Sequence, residues 1–300
     1  IMNIKVIGDI ILDRWIIGTV DRISQEAPVP IALEKGEKYS LGGAANVAVS
    51  LSNLVSDVSI YGTITNDDYG DKVCEMLENH NIISSNVTYD SPTTTTKTRF
   101  VDDSGRHMLR WDKEKQYHSK KCIENLINDI DENSVVVISD YNKGTIKRHT
   151  TEEILQITNK VYVDPKQKPE TYYGAFLVKP NMKEFIEWNG MFSKEIALNC
   201  IKEFNWKWLV VTDGENGIHV FEGQTEKYCH YSEPTKEVSD VTGAGDTVLS
   251  VIVYGRSQGM SIFDSCKLAC CIAARNVEKR GVHPVELDDV LSIRNELTKI

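Results

Sequence analysis

Short hydrophobic runs recur along the chain, and each stops at a charged or turn residue. They are Ile4 to Gly8 ahead of Asp9, Val58 to Gly62, Ser134 to Ser139 ahead of Asp140, Val161 to Val163 ahead of Asp164, Phe176 to Val178 ahead of Lys179, and Trp208 to Val211 ahead of Thr212. Unbroken β-branched runs of this kind suit strands buried on both faces of a parallel sheet. Between them, helical patterning predicts helices over 71–80, 121–130, 147–159 and 262–277. Strand alternating with helix predicts an α/β fold with crossover helices. Two stretches break the rhythm. Residues 28–40 carry Pro-Val-Pro-Ile-Ala-Leu-Glu and read as an edge or lid strand, and residues 93–112 read as two alternating strands around a turn at 102–106. The late pair Trp208 to Phe221, interrupted by Gly214 and Gly217, predicts an antiparallel addition to the main sheet. A small second sheet would serve as a lid that excludes water, or would only decorate the fold. No linker or repeat interrupts the chain, so one domain is expected over 1–300, with lid insertions at approximately 14–40 and 93–112.

Composition narrows the function classes. With 300 residues at 41% hydrophobic content there is ample material for a large core. A formal charge of −10 argues against nucleic acid as the partner. The seven cysteines form no C-x-x-C pair, and so read as reduced thiols of a cytosolic protein. The histidines lack zinc-ligand spacing, and no apolar run reaches membrane-spanning length. No signal peptide is read ahead of the first strand, and Ile1 before Met2 reads as a cloning remnant. Neither G-x-G-x-x-G nor G-x-x-x-x-G-K-[ST] occurs, which removes support for a dinucleotide fold and for a P-loop enzyme.

The densest chemistry lies at Asp240-Val-Thr-Gly-Ala-Gly-Asp246, which leads directly into an apolar run. Small residues at a helix start expose unpartnered amides at the positive end of the dipole, where a phosphate can be held. A phosphate cradle beside a carboxylate is what phosphorylation of a hydroxyl requires. Asp is also common at helix starts for capping alone, so these residues by themselves support either account of Asp246. Leu41-Gly42-Gly43-Ala44-Ala45-Asn46 reads as a Gly-Gly turn opening a helix of small residues. Close packing would explain the alanines, whereas a polar Asn46 among them favours a ligand. Asn181 and Glu184 have the spacing of a capping box, which does not conflict with a role at a phosphate or metal. Asp9 and Asp13 fall at a strand's carboxyl end, where open α/β sheets bind ligands.

Taken together, Gly42-Gly-Ala-Ala-Asn46 and Asp240-Val-Thr-Gly-Ala-Gly-Asp246 resemble the two signatures of the PfkB-type, ribokinase-like sugar kinases, and Asn181-Met-Lys-Glu184 resembles that family's N-x-x-E magnesium motif. The resemblance implies a Rossmann-like three-layer αβα fold with a mostly parallel central sheet and a small β-sheet lid. It also implies ATP as donor, Mg²⁺ as cofactor and a small-molecule hydroxyl as acceptor. A narrower similarity, carried by Gly8 to Trp15, Arg22 to Pro30, Ser139 to Gly144 and Val163 to Lys166, is to the heptose 7-phosphate kinases of the bacterial ADP-heptose pathway. In many of those a nucleotidyltransferase domain follows.

Carried over by position, Asp246 would be the base, ionised at neutral pH. The amides of Gly243, Ala244 and Gly245 would form the anion hole. Asp13, Gly42, Gly43 and Asn46 would hold the sugar. Asn181 and Glu184 would organise Mg²⁺ through water, with Thr212, Gly214, Gly217 and Asn276 around the nucleotide. Asp240 and Thr242 fall where relatives bind a monovalent cation such as K⁺. For the acceptor's remote phosphate, Lys97, Arg99, Arg110, Lys143 and Lys166 are available, with Arg110, Lys166 and Lys97 ranked first. Likeness to the family also implies a homodimer formed through the lid sheet.

Overall fold

A computed structural model describes residues 3–82, 84–234, 241–278 and 283–297. In chain order the first half forms β1 (Ile4–Gly8), β2 (Ile10–Ile23), β3 (Pro30–Gly43), α1 (Ala44–Leu54), β4 (Val58–Thr63), α2 (Asp68–Asn79), β5 (Val87–Thr88), β6 (Thr95–Val101) and β7 (His107–Lys113). The middle forms α3 (Lys120–Asp129), β8 (Val135–Ser139), α4 (Arg148–Leu155), β9 (Val161–Asp164), β10 (Leu177–Val178), α5 (Met182–Asn189) and α6 (Lys194–Glu203). The remainder forms β11 (Trp208–Thr212), β12 (Ile218–Glu222), β13 (Tyr228–Tyr231), α7 (Ala244–Ser257), α8 (Ile262–Asn276) and α9 (Leu287–Leu297).

The hydrophobic runs assemble a nine-stranded sheet in the order β13-β12-β11-β10-β9-β8-β1-β4-β5. It is parallel from β11 to β5, while β12 and β13 are antiparallel additions at one edge. Side chains alternate between its faces, as a strand's period of two demands. Val6, Val137 and Val210 pack into a core with α1, α7 and α8, while Ile7, Ile138 and Val211 pack into a second core with α3 and α6. The fold is therefore α/β, three layers of ribokinase-like type. Chain order reverses between β1 and β8, which makes the crevice beyond their carboxyl ends the expected ligand site. These two strands approach so closely that a Cβ on Gly8 would lie 1.9 Å from the Ser139 carbonyl oxygen.

A four-stranded sheet in the order β3-β2-β6-β7 projects from this body as the lid. The first four residues of β2, Ile10 to Asp13, are buried, and the strand emerges to become exposed towards Ile23, with register shifts at Ile17/Gly18 and Val20/Arg22. One point corrects the sequence reading: Gly42 and Gly43 do not form a turn. They are the last residues of β3, paired with Ile11 and Ile10, and α1 starts immediately at Ala44. Gly43 has φ of 59°, and a Cβ there would meet the Asp9 carbonyl at 2.3 Å, so the abrupt passage from strand to helix needs glycine.

Candidate functional site

Asp9 closes the end of β1 and is almost fully buried. Its carboxylate accepts from the amides of Tyr141 (2.8 Å), Lys143 (3.0 Å) and Thr145 (3.2 Å), and so fixes the loop that follows β8. Its task in this geometry is to hold that loop, and the loop delivers Tyr141 to the crevice.

The head of α7 faces the same crevice. Gly243 takes a left-handed conformation (φ 80°), and the first helical bond runs from the Thr247 amide to the Gly243 carbonyl at 2.9 Å. The amides of Gly245 and Asp246 therefore precede the helical ladder at its positive end. The Ala244 amide does not share that freedom, because it donates to the Val241 carbonyl at 3.2 Å. That corrects the expected trio: the turn that builds the cradle uses one of its own donors.

Asp246 is 3% exposed, and both its oxygens are held. Asn46 Nδ2 donates to Oδ2 at 2.7 Å, and the Tyr141 hydroxyl donates to Oδ1 at 3.2 Å. Burial, reinforced by the charge of Asp164, pushes the Asp246 carboxyl up to about 7, against the opposing pull of Asn46, Lys179 and Tyr141. The expectation of a fully ionised Asp246 at neutral pH is thus corrected, because desolvation outweighs the positive surroundings. A carboxyl poised near neutrality can both take and release a proton under working conditions. Asn46 is itself buried, and its Oδ1 has no hydrogen-bond partner among the described residues. A buried acceptor left open in this way is the mark of a site that waits for a donor.

Beside the helix head lies a cavity of ≈ 500 Å³. Its lining combines the charged side chains Asp164, Lys166, Lys179 and Glu184 with the apolar Ile218, Val248, Ala273 and Val277. Charged and apolar groups around one space suit a phosphorylated compound with an aromatic base. Lys179, fully buried, and half-buried Asp164 form an ion pair at 3.0 Å, and desolvation raises the Asp164 carboxyl despite it. A Cβ on Gly245 would stand 3.3 Å from Lys179 Nζ and 3.4 Å from Asp164 Oδ2, so the cradle's backbone sits against this pair. Thr212, Gly214 and Gly217 line the same space.

Asn181 and Glu184 form the capping box in full: Asn181 Oδ1 accepts from the Glu184 amide at 2.8 Å, and Glu184 Oε2 accepts from the Asn181 amide at 3.0 Å. Glu184 Oε1 accepts from Lys166 Nζ at 2.9 Å. With both oxygens engaged, Glu184 fits a hydrated Mg²⁺ held through water rather than a directly bound ion.

Two expected site residues are placed elsewhere. Lys166, assigned to the acceptor's phosphate, lies in this cavity, paired with Glu184 at 2.9 Å. Asn276 does not line the cavity; its amide donates to Thr247 Oγ1 at 3.3 Å and ties α8 to α7, while Ala273, Ala274 and Val277 turn towards the space. Asp240 lies outside the described residues, so the expected cation pair is represented only by Thr242, exposed in the turn before α7.

The lid brings its own charged side chains towards Tyr141. Its register sets Asp13, Lys97 and Asp112 abreast, with Trp15, Arg99 and Arg110 abreast two residues along, and cross-strand neighbours share a face. Arg99 Nη1 meets Asp13 Oδ1 at 2.5 Å in a buried pair, and its guanidinium lies 5.0 Å from the Trp15 ring centre. Asp13 Oδ2 is left beside Gly42, where a Cβ would come within 2.3 Å of it. Arg110, ranked first for the acceptor's phosphate, is held by Asp112 in a two-pronged contact at 2.8 and 2.7 Å. Lys143 is likewise paired, with Glu114 at 2.6 Å. Among the described residues Lys97 has no carboxylate within 4 Å, and its ammonium sits 4.9 Å from the centre of the Tyr141 ring.

Sequence reasoning did not single out Tyr141, Asp164 or Lys179 as site residues. All three stand just beyond or at the ends of β8, β9 and β10, so the strand-end rule applied to Asp9 would also have found them. Arg99, named only among the available cations, gains its distinct place from the ion pair with Asp13.

A buried proton acceptor, a helix head open to an anion and a cavity suited to a nucleotide together define a phosphotransferase on a ribokinase-like fold. The chain belongs to the pfkB family of carbohydrate kinases, whose family model matches residues 2–288. It is 36% identical to the bifunctional protein HldE of Actinobacillus pleuropneumoniae over 98% of its own length, and 35% identical to HldE of Haemophilus ducreyi over the same share. The chain spans 64% of the length of those relatives. Among solved structures it is similar to ribokinase from Thermotoga maritima (TM-score 0.78, 22% identity, 98% of this chain and 100% of that one). Similarity extends to phosphofructokinase-2 from Escherichia coli (TM-score 0.81, 17% identity, 99% and 100%). Members of the family use ATP with Mg²⁺. No described helix is long and apolar enough to cross a membrane.

Proposed function

We propose that this chain transfers the γ-phosphoryl group of ATP to the anomeric C1 hydroxyl of D-glycero-β-D-manno-heptose 7-phosphate, giving the 1,7-bisphosphate. The observation that carries the kinase chemistry is the meeting of Asn46 with buried Asp246 at 2.7 Å, which joins two motifs two hundred residues apart at one proton acceptor. The heptose assignment is supported by the resemblance of Gly8 to Trp15, Ser139 to Gly144 and Val163 to Lys166 to that subgroup, and by the similarity to HldE proteins.

In this reading Asp246 takes the proton of the acceptor hydroxyl as that oxygen forms its bond to phosphorus and ADP departs. The Gly243 to Gly245 segment cradles the phosphoryl group in flight, with the Gly245 and Asp246 amides as donors. Asn46 Oδ1 accepts from a sugar hydroxyl, and Asp13 and the backbone at Gly42 and Gly43 border the ring. Lys97 is the cation for the remote phosphate, with Arg99 beside it. The nucleotide occupies the ≈ 500 Å³ cavity. Glu184 would hold Mg²⁺ there through water, and the ion would supply charge neutralisation to the phosphates. Asp240 and Thr242 are proposed to hold K⁺ where the family binds one.

Leu109 and Trp111, two apart on β7, are 59% and 66% exposed, which favours pairing of two chains through the lid. Light scattering at micromolar concentration should give twice the 33.8 kDa chain mass, and a monomer would contradict this. The reduced thiols and the small-molecule substrates suit the cytoplasm.

A panel of acceptors assayed for ADP release tests the function. Heptose 7-phosphate should give the highest kcat/KM. Turnover of ribose or fructose with an inert heptose 7-phosphate would end the heptose assignment and leave a pfkB-type kinase of another acceptor.

A further inference from the structure

Tyr141 touches both the lid and Asp246. Its ring carries the Lys97 ammonium from β6 at 4.9 Å, and its hydroxyl donates to Asp246 Oδ1 at 3.2 Å. Its backbone cannot drift, because its amide and those of Lys143 and Thr145 are all held by the carboxylate of Asp9. The result is a strut of fixed root, with one end on the acceptor side of the lid and the other on the catalytic carboxyl.

We propose that Tyr141 is a positioning residue that couples Lys97 of the lid to the base, so that engagement of the acceptor at Lys97 and the readiness of Asp246 are set by one side chain. This rests on the kinase reading above and deepens it. The hydroxyl stabilises the ionised carboxylate by donating to it, and the ring face supplies the attraction that keeps Lys97 in place without a carboxylate partner.

Several groups act on the same region. Asp246 faces Asn46 from α1, Asp164 at the end of β9 and Lys179 after β10. The Tyr141 hydroxyl faces Asp246, Asp164 and Asp13, and Lys97 faces Asp13, Arg99, Arg110 and Asp112. Burial and the Asp246 and Asp164 charges hold the Tyr141 hydroxyl protonated far above neutrality, so it acts as a donor throughout the working range.

Two measurements separate this from a merely structural role. In ¹³C NMR of carboxyl-labelled aspartate in the full chain, with the Asp246 resonance assigned by its loss in Asp246→Asn, Tyr141→Phe should move the Asp246 titration midpoint upward by about half to one pH unit. The ring is retained, so the KM for heptose 7-phosphate should stay within about twofold. Tyr141→Leu and Lys97→Met should each raise that KM by about threefold to thirtyfold, and the double variant should be no worse than Lys97→Met alone, because Tyr141 acts on the acceptor through Lys97. An unchanged midpoint in Tyr141→Phe would overturn the inference, as would KM effects of Tyr141→Leu and Lys97→Met that multiply in full. Absence of turnover with any acceptor would fail the kinase reading instead, and the titration would still decide this one.

Discussion

Replacing Asp246 by Asn tests the charge state and the chemistry of the site in one variant. The shape is retained while the proton acceptor is lost, so kcat should fall by about 10²- to 10⁴-fold, the range that general-base catalysis commands. The variant also bears on stability, and its sign follows from proton counting. Asp246 is raised from its ordinary 3.8 to about 7 by burial and the Asp164 charge. Below pH 4 it is protonated in both the folded and the unfolded chain. Between pH 4 and 7 the unfolded chain loses the proton while the folded one keeps it, so folding stability falls as pH rises through this window. At 1.36 kcal/mol per unit the loss is bounded at about 4 kcal/mol. Asn carries no charge to desolvate and escapes this loss, although its amide nitrogen must face the donors Asn46 and Tyr141, which lowers the gain. Urea denaturation at pH 4.5, 6 and 8 should therefore show the stability of Asp246→Asn improving relative to wild type as pH rises. A difference constant across pH would refute the buried-charge argument, and near-wild-type kcat would refute the catalytic assignment.

Asn46→Ala removes a donor to the carboxylate and should cut kcat/KM about ten- to hundredfold. The loss should be larger at pH 6.5 than at 8.5, since the Asp246 carboxyl then titrates higher; equal losses at both values would contradict this. Lys179→Met leaves half-buried Asp164 without its partner, and thermal or urea unfolding should show a cost of about 1–3 kcal/mol that Asp164→Asn in the same chain largely relieves. Failure of the second substitution to relieve it would show that the pair is not the source. Gly8→Ala drives a methyl group into the Ser139 carbonyl and should cost about 2–3 kcal/mol in urea denaturation, with a neutral result showing that β1 and β8 can separate without loss.

Much of the architecture was legible along the chain because buried parallel strands announce themselves as unbroken apolar runs. Runs ending at Asp9, Asp140, Asp164, Lys179 and Thr212 all became strands of one sheet. Helix α6 went unread although Ala197, Cys200 and Ile201 keep helical spacing behind the cap Ser193, because its polar face dilutes the signal. Strand β13 is short, half-exposed and at the sheet edge, where patterning is weakest. Within the site, the local motifs around Gly42, Asn181 and Asp246 could be recognised because each is a backbone device with its own spacing: a close approach, a capping box and a helix head.

By itself the sequence determined the elements, the glycines where backbone must come close, and the carboxylates and amides available for chemistry. Only the tertiary structure decided which of them meet. A diagonal contact between β2 and β6 joined Arg99 to Asp13, Asp112 took up Arg110, and Lys166 came to lie against Glu184. The same holds for the ionisation of Asp246, which depends on burial and on Asp164, Asn46, Tyr141 and Lys179 brought in from four other segments. Local spacing sets the hydrogen bonds within a turn or a cap, whereas desolvation and charge pairing are properties of the packed crevice, and they arise only once distant segments have closed around it.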